Sequence, residues 1–244
     1  MPSKYDASGH SVLVTGSGRR LGRAFAEALA ECGASVAVHY GRSAEEAEEV
    51  VRGLLSHGVQ AETVQADLAN PDEASELVSR AQDAIGEIDL LVNNAAIFSP
   101  VGALDASIQD WQSHMDVNLT APFLIAQQFA LTRKDRSGSI VNLLDWRATR
   151  PGSDHFPYTI SKAALGALTR GLAVSLAPAI RVNGLALGAI LHPSDGGTDD
   201  PLEGVPSGRW GTVEEAIDAL LFLLIGPEYI TGEILHVDGG RHLT

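Results

Sequence analysis

Seven short runs rich in valine, isoleucine and leucine alternate with stretches of helical periodicity, and this alternation limits the fold more than any other feature of the chain. The strand candidates are residues 11–15 (SVLVT), 34–39 (ASVAVH), 61–66 (AETVQA), 88–92 (IDLLV), 138–143 (GSIVNL), 180–185 (IRVNGL) and 233–237 (EILHV). The helical stretches between them carry start signals. Ser43-x-x-Glu46 and Thr212-x-x-Glu215 read as capping boxes, and Asn70 followed by Pro71 reads as an N-cap and first helical residue. A strand–helix–strand order of this kind predicts an α/β fold, a parallel sheet of about seven strands with helices on both faces. Residues 1–244 read as a single domain, with no linker or low-complexity run to divide them. Ligands of such sheets bind beyond the carboxyl ends of the strands, so the residues after each strand carry the functional signal.

Composition narrows the ligand. The formal net charge is −14, which argues against nucleic acid or an anionic membrane as partner. An anionic small molecule must then be held by local cations. Cys32 is the only cysteine, so an internal disulfide and a cysteine-based metal site are both excluded, no metal is expected, and a reducing, cytoplasmic setting fits. The first ten residues lack the apolar core of a signal peptide, and the apolar run AIDALLFLLI is about half the length that spans a bilayer, so it reads as a buried helix.

After the first strand comes TGSGRRLG, residues 15–22. Gly16, Gly18 and Gly22 permit a tight turn, close approach of a pyrophosphate and close packing of the next helix. Arg19 and Arg20 stand inside this turn, and Arg20 occupies a position where glycine is the easier choice. After the second strand comes HYGRS. An NAD-binding chain usually places an acid there to accept from the ribose hydroxyl; this chain offers Arg42 and Ser43, donors that suit a 2′-phosphate and point to NADP. Asp67 and Leu68 follow the third strand, where a carboxylate can accept from an adenine amino group. NNAAIF follows the fourth; its small residues allow close approach of a cofactor, while Phe98, by itself, reads as a core residue. Tyr158 and Lys162 in YTISK lie on one helix face, and a lysine beside a phenol is expected to lower the phenol's pKa and tune it for proton transfer.

Taken in order, TGSGRRLG, NNAA, Asn118 in MDVNLTAPF, Tyr158-x-x-x-Lys162 and the terminal VDGG resemble the short-chain dehydrogenase/reductase family over nearly the whole chain. The resemblance implies a Rossmann-type doubly wound sheet, a nicotinamide cofactor and hydride transfer. It makes Tyr158 the proton donor, Lys162 the residue that holds the nicotinamide ribose, and Asn118 a support of the proton relay. It also implies a cofactor held by Gly16, Arg19, Arg20 and Leu21; by His39, Tyr40, Arg42 and Ser43; by Asp67 and Leu68; by Asn94, Ala95 and Ala96; by Asn118, Tyr158 and Lys162; and by Gly188 and Ile190. Tetramers are common in the family.

Two departures stand out. Asp145 occupies the position thirteen residues before the tyrosine where most members have serine, and Arg20 replaces glycine. Together with HYGRS, Phe98, RPGSDHFPY and VDGGRHL they resemble the pteridine reductase and dihydromonapterin reductase branch. That resemblance implies that Arg20 reaches both cofactor phosphate and pterin, and that Phe98 stacks the pterin against the nicotinamide. The substrate set is then Arg20, Phe98, Asp145 and Tyr158. A carboxylate at 145 would repel the developing charge on a carbonyl oxygen, whereas a pterin is reduced at C=N and its ring nitrogen needs a proton. A further departure, Leu187-Gly188 in place of Pro-Gly, bears on loop stiffness after the sixth strand. The polar stretch HPSDGGTDDPLEG reads as the core of a substrate loop spanning about residues 189–209. The expected function is NADPH-dependent reduction of a dihydropterin such as dihydromonapterin, dihydrobiopterin or dihydrofolate. An NADPH-dependent carbonyl reductase of a 3-oxoacyl or keto ester is the alternative, and a cofactor-binding regulator without turnover the third reading.

Overall fold

Val12 and Val14 face one side of the sheet and Leu13 the other, and this period-two alternation assigns the helices to their layers. The computed structural model describes residues 5–134, 136–152, 154–191, 202 and 204–244. Seven strands form one parallel sheet: β1 (Ser11–Val14), β2 (Ser35–Tyr40), β3 (Ala61–Gln65), β4 (Leu90–Asn93), β5 (Gly138–Asp145), β6 (Ile180–Leu187) and β7 (Ile234–Val237). Their order is β3-β2-β1-β4-β5-β6-β7, so the winding reverses between β1 and β4 and opens a crevice there. This is the Rossmann-type sheet.

Among the described residues seven α-helices cover it: α1 (Arg20–Glu31), α2 (Ala44–Leu55), α3 (Pro71–Ile85), α4 (Ile108–Met115), α5 (Ala121–Arg133), α6 (Phe156–Leu176) and α7 (Val213–Ile225). Phe25 and Leu29 of α1, Val50 and Leu54 of α2 and Leu220 of α7 bury against the Val12/Val14 face. Leu77 of α3 and Ile125 and Phe129 of α5 bury against the Leu13 face. Each large side chain so buried contributes roughly 1.5–3 kcal/mol of transfer free energy. The apolar run near the C-terminus is α7, packed in the core. No described helix is long and apolar enough to cross a membrane.

The expected caps differ in outcome. Thr212 and Glu215 form a reciprocal capping box at α7, and the Asn70 side chain accepts from the Asp72 amide at α3. Ser43 is the N-cap of α2, but its side chain makes no capping bond. The hydroxyl faces the crevice instead. Three strands run further than their apolar patterns suggest. β2 reaches Tyr40, β5 reaches Asp145 and β6 reaches Leu187, with Asp145 in register with Leu187 and Leu187 with Val237. Leu187 is therefore held by the ladder on both sides. Of the predicted substrate loop, residues 192–201 and 203 lie outside the described residues.

Candidate active site

The first loop gets its shape from contacts that tolerate no side chain. Gly16 has φ +64°, and a Cβ there would lie 3.1 Å from the Ala95 backbone. A Cβ on Gly22 would come within 2.3 Å of the Gly16 carbonyl, so α1 packs directly onto its own loop. Thr15 Oγ1 accepts from the amides of Asn94 and Ala95, at 2.9 and 3.0 Å, tying the loop to the segment after β4. Arg20 lies at φ +53°, a left-handed conformation that glycine adopts freely and arginine adopts at a cost of about 1–3 kcal/mol. The structure thus explains why glycine is the easier residue here, and shows that this chain carries local strain to keep the guanidinium.

His39 does not line the cleft, contrary to the sequence expectation that it contacts cofactor. Its ring is buried between two backbone groups: Nδ1 accepts from the Gly16 amide at 2.9 Å and Nε2 donates to the Ala66 carbonyl at 3.1 Å. Burial lowers its pKa to about 4, so the ring is neutral and the tautomer is set by these two bonds. His39 positions the glycine loop.

Asn118 is also withdrawn from the cleft. It sits fully buried in a π-helical turn, Asp116–Thr120, that joins α4 to α5. Its amide accepts from the Ile97 amide and donates to the Ile97 carbonyl, at 2.9 and 3.0 Å, and also donates to Ser161 Oγ at 3.0 Å. Its side chain therefore braces the Ile97 segment against α6 and does not touch the cavity.

Tyr158 and Asp145 meet where β5 ends and α6 begins. The phenol donates to Asp145 Oδ2 at 3.2 Å, while Asp145 Oδ1 accepts from the Arg147 amide at 2.8 Å and so caps a short 3-10 turn, Trp146–Ala148. Asp145 is thus both a cap and a partner of the tyrosine. Burial pushes its carboxyl above the usual range. Lys162 Nζ donates to the Leu143 carbonyl at 2.6 Å and lies 5.8 Å from the Tyr158 ring centre; burial lowers its pKa to about 8. The expectation that Lys162 would lower the Tyr158 pKa is reversed here. Burial, then the charge and hydrogen bond of Asp145, hold the phenol well above its ordinary value. A neutral tyrosine beside a carboxylate is a proton donor in waiting.

Phe98 lies against this pair, edge-on to Tyr158 with 4.7 Å between ring centres. His155 stacks on it at 3.8 Å, nearly parallel, and the Arg147 guanidinium lies over the same ring at 5.9 Å from its centre. His155 has φ +49° at the start of α6, and its Nδ1 pairs with Asp154 at 2.7 Å. Asp154 also accepts from Arg147 Nη2 at 2.7 Å. The sequence reading gave no role to His155, Asp154, Arg147, Trp146 or Arg241, all of which line the same cavity. The available signal was Trp146-Arg147 directly after β5 and a histidine three residues before the tyrosine.

One cleft of about 1190 Å³ runs along the carboxyl edge of the sheet, and of the groups described above His39 and Asn118 stand outside it. Gly16, Arg19, Arg20, Leu21, Tyr40, Arg42, Ser43, Asp67, Leu68, Asn94, Ala95 and Ala96 line one part of it. Phe98, Asp145, Tyr158, Lys162, Gly188 and Ile190 line the rest. A Cβ on Gly18 would lie 3.3 Å from Ser43 Oγ, so the first loop and the β2–α2 turn adjoin and present arginine and hydroxyl donors together. That donor set fits a phosphorylated dinucleotide. Among the described residues no cluster of three or more His, Cys, Asp or Glu is arranged to hold a metal.

A family model described as enoyl-(acyl carrier protein) reductase matches residues 16–242. The 3-oxoacyl-[acyl-carrier-protein] reductase of Synechocystis is 36% identical, over 93% of this chain and 95% of that protein. Among solved structures, FolM alternative dihydrofolate reductase 1 from Brucella canis, complexed with NADP, superposes with TM-score 0.91 at 36% identity, covering 98% of this chain and 96% of that one. A gluconate 5-dehydrogenase from Burkholderia cenocepacia, in complex with NADP and tartrate, superposes with TM-score 0.89 at 30% identity, covering 98% and 97%. The chain belongs to the short-chain dehydrogenase/reductase family, and it is an oxidoreductase with a Rossmann-type fold.

Proposed function

We propose that this oxidoreductase uses NADP and reduces a pteridine, taking a dihydropterin to its tetrahydro form. The observation that carries the reading is the Tyr158 hydroxyl 3.2 Å from the Asp145 carboxylate, beside an aromatic wall made by Phe98. The NADP complexes among its structural neighbours support the cofactor, and the likeness to FolM supports the substrate class.

When bound, NADPH supplies a hydride to the carbon of the ring C=N. The chain supplies the rest. Arg42, Ser43 and Arg19 hold the 2′-phosphate by charge-assisted bonds. Lys162 holds the ribose and Phe98 receives the flat ring. Tyr158, kept protonated by its surroundings, gives the proton that the ring nitrogen takes up, and Asp145 holds that phenol and accepts from the amino-pyrimidine edge. NADPH oxidation assayed with dihydropterins and with a panel of carbonyl compounds tests the reading; turnover confined to the carbonyls would refute it. The second reading, a 3-oxoacyl reductase, draws on the name of the Synechocystis relative. It must account for a carboxylate next to the phenol that would polarise a carbonyl oxygen. Assembly as a homotetramer in the cytoplasm belongs to the same proposal; Phe123 and Leu131 on α5 and Val174 on α6 are exposed apolar side chains available for it.

Arg42→Ala is expected to weaken NADPH about ten- to a hundredfold and NADH far less, because one charged hydrogen-bond partner is worth roughly 1.5–3 kcal/mol. Equal losses in the two dissociation constants would overturn the 2′-phosphate assignment. Arg20→Gly separates strain from binding. Glycine relaxes the φ +53° conformation, so the melting temperature should hold or rise while the affinities for NADPH and dihydropterin both fall. A variant that binds both ligands as the parent does would remove Arg20 from the site.

A further inference from the structure

His155 lies on the far wall of the cleft with Trp146, Arg147 and Arg241, at a backbone position suited to glycine or asparagine. Among the described residues three that are not glycine have positive φ: Arg20, Lys134 and His155. Lys134 closes α5, whereas Arg20 and His155 both line the cleft. His155 has φ +49° and ψ +46° directly before α6, and its side chain makes no capping bond. The usual residue at a helix start is Ser, Thr, Asp or Asn in an extended conformation. Neither the turn nor the cap accounts for a histidine, and the strain is carried for the sake of the ring.

That ring is tied to Asp154 and lies on Phe98. Its Nδ1 donates to Asp154 Oδ2 at 2.7 Å, and its plane is within 13° of the Phe98 plane, with 3.8 Å between centres. Asp154 is itself held, because the same oxygen accepts from Arg147 Nη2 at 2.7 Å. Burial opposes its charge, yet the bonds from Arg147 and His155 hold its carboxyl below the usual range. An ionised acceptor at this point places the imidazole proton on Nδ1 and fixes the ring's orientation.

Phe98 has a use for such a support. Its backbone is secured on both sides: Asn118 holds Ile97, and the Phe156 amide donates to the Val101 carbonyl at 2.7 Å. The half-buried ring is not secured by those bonds. It meets Tyr158 edge-on, so its orientation is felt at the proton donor. We propose that His155, oriented by Asp154, is a positioning residue whose stack fixes the Phe98 ring for a flat substrate. A ring-shaped ligand gains most from an aromatic wall that is already set, since ordering the wall during binding costs affinity. The inference rests on the pteridine reading and deepens it: selection of a flat ring depends on a residue that holds the wall.

Three substitutions separate the parts. His155→Asn suits the left-handed backbone and can still donate to Asp154, but has no ring; His155→Phe keeps a ring without the donor; His155→Gly relaxes the backbone and removes both. At saturating NADPH, His155→Asn is expected to raise the KM for dihydrobiopterin about tenfold, with kcat within about threefold and the NADPH Kd unchanged. His155→Phe should recover most of that loss. His155→Gly should raise the KM as far as His155→Asn does while its melting temperature holds or rises, whereas a merely structural residue would lose stability and affinity together. A parent-like KM in His155→Asn, a loss confined to kcat, or no recovery in His155→Phe would overturn the proposal. The Phe98 ring can also be watched without substrate. In protein labelled with 4-fluorophenylalanine at its six phenylalanines, Phe98→Leu identifies one ¹⁹F signal. That signal should shift in His155→Asn as the imidazole ring current is lost, and its relaxation should report a more mobile ring. If the parent reduces no dihydropterin, the pteridine reading falls by itself, and these spectra decide the role of His155. An unchanged Phe98 signal counts against it.

Discussion

Turnover of a dihydropterin is expected to fall about 10²–10⁴-fold in Tyr158→Phe, with NADPH affinity close to that of the parent. The phenol is buried and its hydroxyl meets Asp145 Oδ2, so the substitution removes one donor and leaves the ring in place. The edge-on contact with Phe98 survives, and with it the shape of the site. The Lys162 ammonium keeps its bond to the Leu143 carbonyl, so the cofactor side is undisturbed. Stopped-flow single turnovers would separate the chemical step from product release. A rate within about tenfold of the parent would show that the proton reaches the substrate by another route.

Asp145→Ser is expected to reduce dihydropterin turnover by about 10²-fold and to leave NADPH binding unchanged. A serine can still cap the 3-10 turn at Trp146–Ala148, which keeps the fold out of the comparison. The variant also has a pH signature. The charge and hydrogen bond of Asp145 raise the Tyr158 pKa, so their removal lets that pKa fall. A donor must be protonated to act, and its activity is lost as pH rises through its pKa. The basic limb of the kcat profile should therefore move to lower pH in Asp145→Ser. Weak carbonyl reduction should emerge as well, because a hydroxyl donates where a carboxylate repels. Unchanged dihydropterin turnover together with an unmoved basic limb would hand the site to the carbonyl reductase reading.

The sheet was legible because its strands are short, apolar and separated by helices with recognisable starts. Each predicted run became a strand, and the order of elements implied the crevice. The carboxyl ends were less legible. Tyr40, Leu144 with Asp145, and Ala186 with Leu187 continue their strands through ladder pairing, which no local pattern announces. Ser43 shows how a motif can mislead: the spacing of a capping box is present, yet the hydroxyl faces the cleft. His39 and Asn118 share another cause of error. Both are polar residues near the site whose hydrogen bonds are satisfied deep in the protein, by backbone groups and, for Asn118, by Ser161 as well, and satisfaction is a three-dimensional property. The far wall was missed because Arg241 and Trp146 are almost a hundred residues apart and only the fold brings them together. The Tyr158 pKa direction was misjudged because helical spacing showed the lysine but not the burial or the closer carboxylate.

The bond from the Gly16 amide to the His39 ring has a consequence for how this protein can change. The curvature of the glycine loop is set by an imidazole that faces away from the cleft, while Arg42 and Ser43, which line the cleft and are proposed above to hold the 2′-phosphate, lie a few residues along the same strand and turn. On that proposal, shape and selectivity are assigned to different side chains. A lineage drifting toward another coenzyme, or an engineer aiming for one, can rewrite positions 42 and 43 as an interchangeable cassette without rebuilding the loop beside them.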